Sequence, residues 1–269
     1  MKTGITYKNI VNAVLLLSFL VFSSFIALKL NQKKAMLYLV GDSTVKNGKG
    51  KGDGNMWGWG DYMATYFDAA KITVENDALG GTSSRTFQTH GLWDKVLAKL
   101  QPGDYVIMQF GHNDSGALDD TARARGTIKG VGDESKEIYN PIEKKKEVVH
   151  TYGWYLRKMV TEAKAKGAMV IICSPIPRND WKDGLVIRND QSYGKWSEET
   201  AETTGAFFID LNKIIADTWE EGGQEKAKQY FPNEKEHTHT NKEGAIINAG
   251  SVISGLKGLT SCKLNNYLR

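Results

Sequence analysis

Five short apolar runs, each ending in glycine or small polar residues, constrain this chain more than any other feature. They fall at residues 36–40, 72–74, 105–110, 168–173 and 206–209. None alternates cleanly between apolar and polar side chains, so each predicts a short strand covered on both faces. The segments between them carry helical spacing at 57–67, 92–100, 148–166 and 193–204, the last two followed by Gly167 and Gly205. A final helix is expected from Thr240, where Thr240 with Glu243 fits a capping box. Strands alternating with helices predict an α/β three-layer sandwich around a five-stranded parallel sheet, doubly wound. In such sheets ligands sit beyond the carboxyl ends of the strands. Residues 115–142 are polar, contain glycine and show no period, which predicts a long functional loop.

A chain of 269 residues suffices for one such domain. Its formal charge of +4 is misleading. Residues 1–34 carry Lys2, Lys8, Lys29, Lys33 and Lys34 and no acid, so the remainder stands at −1. That near-neutral remainder gives no support for a nucleic-acid partner. Two lysines followed by an apolar run over residues 10–28 predict an export segment. A cleaved signal peptide and an uncleaved membrane anchor both fit, since the run nearly spans a bilayer and no clean small-x-small site follows it. The expected division is therefore 1–34 as signal or tether and 35–269 as the folded domain, placed in the periplasm, at the cell surface or outside the cell. Cys173 and Cys262 could pair after export, although Cys173 ends an apolar run and suits a small core residue.

The chemistry-bearing residues follow the expected strands. Ser43, in Gly41-Asp42-Ser43-Thr44, stands beyond the first run. A helix starting there would aim its N–H groups at an oxyanion; otherwise Asp42 or Ser43 caps a turn. No G-x-S-x-G elbow occurs. Gly80 and Gly81 follow the second run, where glycine lets backbone N–H approach a ligand or simply makes a tight turn. Asn113, in Gly111-His112-Asn113-Asp114, ends the third; its amide suits an oxyanion donor or an Asx-turn, while His112 reads as structural. Near the C-terminus, Glu236-His237-Thr238-His239 sets an acid three residues before an imidazole, an arrangement that can hold Nδ1 and leave Nε2 as a base. The competing reading of His237-x-His239 is a metal site.

In their order, these segments resemble the four blocks of the SGNH (GDSL-type) hydrolase superfamily, whose fold is flavodoxin-like. Residues 38–44, Trp57-Gly58-Trp59-Gly60, Asn76-Asp77-Ala78, Gly81-Thr82-Ser83-Ser84-Arg85-Thr86, Phe110 to Asp114 and His237 to Thr240 look like rhamnogalacturonan acetylesterases. The resemblance implies Ser43 as nucleophile, His239 as base, and Ser43 N–H, Gly81 N–H and Asn113 Nδ2 as an oxyanion hole. It implies no metal and no organic cofactor. Glu236 stands where the family usually has Asp, with Glu234 as the substitute if the alignment shifts. The implied substrate is an acetylated polysaccharide, most closely pectic; another acetylated glycan, a lipid ester, or a carbohydrate-binding protein without activity are the alternatives. Arg85, Arg178 and Trp181, on loops expected after strands two and four, are candidate substrate contacts. Arg123, Arg125 and Lys129 form either a basic wall for an acidic polymer or part of a solvated loop.

Overall fold

The computed structural model describes residues 34–269, so the expected export segment lies outside the described residues. The chain runs β1 (Ala35–Gly41), a 3-10 helix (Trp59–Tyr66), β2 (Ile72–Asn76), α1 (Ser84–Thr89), α2 (Leu92–Lys99) and β3 (Tyr105–Gln109). It continues with β4 (Ser135–Asn140), β5 (Lys145–His150), α3 (Tyr152–Ala165), β6 (Met169–Cys173), β7 (Trp181–Lys182), β8 (Leu185–Val186) and α4 (Tyr193–Thr204). β9 (Phe207–Ile209), α5 (Leu211–Gly222), α6 (Gln224–Lys228) and α7 (Lys242–Gly258) complete it, with a last 3-10 turn at Lys263–Tyr267.

The five apolar runs pair in parallel in the order β2-β1-β3-β6-β9. Their alternating side chains feed two cores. Leu37, Leu39, Ile107, Ile171, Cys173 and Ile209 pack on one face with Trp59, Trp219, Val252 and Leu256. Tyr38, Val40, Val106, Met108, Val170 and Ile172 pack on the other with Phe87, Trp93, Leu156 and Ala201. Burial on both faces explains why the runs lack alternation. The strand order reverses beside β1, which opens a crevice between the loops after β1 and β3.

Several local expectations change. The 148–166 helix begins only at Tyr152, because residues 145–150 form a strand paired antiparallel with β4. Thr151 caps that helix, its hydroxyl accepting the Trp154 N–H. Residues 115–142 thus end in a hairpin rather than running as one loop. The apolar stretch at 59–66 coils as 3-10. α5 was hidden by its mixed composition; Asp210 caps it by accepting the Lys213 N–H at 3.1 Å. The cap of α7 is Asn241, which accepts the Gly244 N–H at 3.1 Å. Thr240 instead ties back across the molecule, its carbonyl accepting the Trp57 N–H at 2.8 Å. Cys173 and Cys262 are both buried free thiols; burial pushes the Cys173 thiol far up.

Candidate active site

Ser43 sits on a tight turn after β1, not at a helix start: the N–H groups of Val45 and Lys46 both donate to the Asp42 carbonyl. Asp42 is fully buried and fastens the turn from inside. Its Oδ1 accepts the Thr44 N–H at 2.9 Å and the Thr44 hydroxyl at 2.7 Å. Gln109 donates to that hydroxyl, and Trp59 Nε1 donates to Gln109 Oε1 at 3.0 Å. The turn carrying Ser43 therefore hangs from a chain of buried hydrogen bonds that crosses from the turn after β1 to β3 and on to the 3-10 helix at Trp59–Tyr66. Gly41 admits this close approach, since a Cβ there would lie 2.5 Å from the Gln109 carbonyl oxygen.

His239 reaches the same point from the other end of the chain. Its Nε2 lies 2.9 Å from Ser43 Oγ, across 196 residues of sequence. In the tautomer with Nδ1 protonated, Nε2 is free to take the hydroxyl proton. Glu236 Oε1 stands 3.2 Å from Nδ1. The same oxygen accepts the Thr238 and His239 N–H groups at 2.8 and 2.9 Å, and Nδ1 is not aligned for a hydrogen bond with it. Burial pushes the Glu236 carboxyl upward, but the two backbone donors and the adjacent imidazole outweigh it and hold the group below the ordinary glutamate range. Glu236 is thus a clamp on the loop's backbone as well as a charge beside the ring. Glu234 is exposed and has no such contact.

Of the donors expected around an oxyanion, the glycine segment is the one seen to pass beside Ser43. Gly81 has φ +84°, a conformation that favours glycine. A Cβ on the neighbouring Gly80 would sit 3.4 Å from Ser43 Cβ, so this backbone passes directly beside the nucleophile's carbon. The N–H groups of Ser43 and Gly81 have no acceptor among the described residues. Asn113 is nearly buried, and its Nδ2 donates to the Thr82 carbonyl at 2.8 Å, which fixes the amide and leaves its second hydrogen for a ligand.

Two further buried groups lie beneath. His112 Nδ1 faces Asp42 Oδ2 at 3.4 Å, and its Nε2 lies 3.0 Å from the Ile176 carbonyl, so this imidazole braces the nucleophile turn against the loop after β6. Burial pushes the Asp42 carboxyl up, but His112 and Thr44 outweigh it and hold it below the usual range. Asp114 has no such imidazole beside it among the described residues. Burial pushes its carboxyl up to about 7 despite the N–H and hydroxyl of Ser84, which both donate to Oδ1.

The two histidines of His237-x-His239 serve different partners: His239 faces Ser43, while His237 Nδ1 lies 2.7 Å from Asp180 Oδ1. Among the three candidate substrate contacts, Arg85 must be corrected. It lies on α1, not on an open loop, and is fully buried. Its guanidinium forms a bidentate pair with Glu147 at 2.7 Å and donates to the carbonyls of Leu118 and Gly126 at 2.9 Å. Arg85 staples the 115–151 excursion to α1 and has no face left for substrate. The sequence offered no signal for its partner, 62 residues away. Trp181 packs part of its ring on the core and donates Nε1–H to Asn179 Oδ1 at 2.7 Å. Arg178 remains at the rim, donating to the Thr238 hydroxyl.

A doubly wound sheet with a serine on its first turn, an imidazole delivered by the last loop, and glycine and asparagine donors after strands two and three define a hydrolase of the SGNH type. The chain belongs to the GDSL-like lipase/acylhydrolase family, whose pattern it matches over residues 39–245. It is 33% identical to a rhamnogalacturonan acetylesterase of Emericella nidulans over 82% of this chain and 84% of that protein. It is 31% identical to a probable rhamnogalacturonan acetylesterase of Bacillus subtilis, covering 83% and 93% of the two chains. Among solved structures, the Bacillus subtilis YxiM protein superposes with a TM-score of 0.69 at 25% identity, covering 86% of this chain and 58% of that one. An acetylxylan esterase of Geobacillus stearothermophilus shares the fold, with a TM-score of 0.54 at 20% identity over 82% of this chain and 94% of that one.

Proposed function

We propose that the protein is a serine acetylesterase that removes acetyl groups from a polysaccharide, with pectic rhamnogalacturonan as the substrate. The observation that carries the reading is the 2.9 Å approach of His239 Nε2 to Ser43 Oγ. Ser43 Oγ attacks the acetyl carbonyl while His239 takes its proton. The tetrahedral oxyanion is received by Ser43 N–H, Gly81 N–H and Asn113 Nδ2; losing one such donor typically raises the barrier by about 3 kcal/mol. The carbon–oxygen bond to the sugar breaks, and His239 returns the proton to the leaving alcohol. Water, activated by the same imidazole, then attacks the acetyl-enzyme and releases acetate with Ser43 restored. Glu236 stabilises the imidazolium formed in each half. The E. nidulans and B. subtilis relatives support the carbohydrate ester.

The export segment expected at residues 1–34 would deliver this activity to polymers outside the cytoplasm; fractionation of cells expressing the full chain tests it. The activity itself is tested by acetate release from acetylated pectin, xylan and peptidoglycan, with Ser43→Ala as control. Release from pectin that vanishes in Ser43→Ala is the expected result. Equal release by the variant would reject Ser43 as nucleophile, and release from xylan alone would reject the pectic substrate.

A further inference from the structure

Among the described residues, the arginines that are not fully exposed are held in two distinct ways. Arg85, Arg157 and Arg188, buried or half-buried, lie against Glu147, Asp133, and Asp217 with Glu220. Arg125 and Arg178 are half-buried too, yet neither has a carboxylate partner among the described residues. A partly desolvated guanidinium without an anion is costly, and its cost falls when a ligand brings one.

Both stand at the edge of the Ser43–His239 centre, on different loops. Arg125 Nη1 donates to the Gly81 carbonyl at 2.9 Å, one residue from the glycine that flanks Ser43. Arg178 donates to the hydroxyl of Thr238, the residue before the base. It also lines a cavity of about 200 Å³ with His112, Asn189 and Tyr193. The cavity's one carboxylate, Asp180, is taken by His237. A guanidinium carries five N–H donors, and each of these two arginines uses one within the described residues. Burial and the neighbouring Arg123 push Arg125 below its ordinary value, and Asp42, Asp114 and Asp120 do not offset them.

We propose that Arg125 and Arg178 are specificity-determining residues that receive the carboxylates of acidic sugars on the two flanks of the ester, so that the enzyme selects acetylated polyuronides over neutral acetylated glycans. The inference rests on the esterase reading of Ser43 and His239.

The experiment compares kcat/KM on an acetylated uronide oligosaccharide with that on a neutral acetylated xylo-oligosaccharide, at low and high salt. It uses the wild type, Arg125→Gln, Arg178→Gln, the double variant and both lysine variants, with thermal unfolding as a folding control. The uronide-to-neutral ratio is expected to fall about tenfold in each glutamine variant and further in the double, the size of a lost charge-assisted contact. Lysine should keep part of the ratio, since it retains charge without the planar fork. Salt should lower the wild-type ratio and leave that of the double variant nearly flat. If a glutamine variant does not fold, its lysine counterpart carries the test, and its ratio must lie below that of the wild type. Rates on both glycans that fall together, at constant ratio, would overturn the proposal and make these arginines loop braces. A wild type that releases no acetate from either glycan would overturn the esterase reading, and the inference with it.

Discussion

The two segments that meet at the site are held in opposite ways. The turn carrying Ser43 is built on a buried acid that accepts from Thr44, which in turn is bonded through Gln109 of β3 to Trp59 of the 3-10 helix at Trp59–Tyr66. The loop carrying His239 is partly exposed; its own Glu236 clamps the N–H groups of Thr238 and His239, and ties to Asn179, Arg178 and Trp57 hold the residues on either side. The nucleophile is fixed by buried bonds alone, whereas the base adds a local carboxylate clamp to the long-range ties that deliver its loop. Damage to the first should therefore appear as lost stability, and damage to the second as lost rate.

Replacing Ser43 with Ala removes the attacking atom and touches neither support. It should lower kcat on the order of 10⁶-fold while leaving the melting temperature near that of the wild type. Asp42→Ala strikes the buried support. It strands the Thr44 hydroxyl and N–H and leaves His112 without its carboxylate, so denaturant unfolding should show a loss of about 3–5 kcal/mol. Glu236→Gln keeps an oxygen for the two backbone donors but removes the charge beside the imidazole. It should cost about 10- to 100-fold in kcat with little change in stability, less than the roughly 10⁴-fold typical where the acid is aligned on Nδ1. A large stability loss in Glu236→Gln, or none in Asp42→Ala, would erase the distinction.

The smallest effect concerns the second buried acid. Asp114 keeps its proton up to about pH 7, whereas the unfolded chain releases it near 3.8. The folded state therefore binds the extra proton between those values, and this group's contribution to stability falls as pH rises through that window. Asp114→Asn should flatten the decline, so unfolding curves of the two proteins should draw apart in the variant's favour between about pH 4 and pH 7. Asp42, held low by His112, should show no such window.

Much of this was legible in advance because it depends on short-range pattern. Each of the five apolar runs became a parallel strand, since residues buried on both faces leave a contiguous apolar trace. Gly205 ends α4 at φ +64°, as a helix-terminating glycine should. The hairpin of β4 and β5 was not legible: Lys145-Lys146-Glu147-Val148-Val149-His150 carries a mixed pattern, and only pairing with residues 135–140 makes it a strand. Arg85 misled for a related reason. An arginine after a glycine-rich segment reads as exposed until the partner that buries it, Glu147, is known.

The sequence by itself determined the kinds of groups and their order: a serine after the first strand, glycine and asparagine after the next two, an acid and an imidazole before the last helix. These survive as local chemistry because each is set by its immediate neighbours. Only the tertiary structure decided which groups face one another. Among the described residues it set Ser43 against His239, gave Asp42 a facing imidazole and Asp114 none, and left Arg125 and Arg178 without acids while Arg85 acquired one. Such pairings depend on contacts between residues far apart in the chain, where burial and distance, rather than composition, govern the energy of a charge.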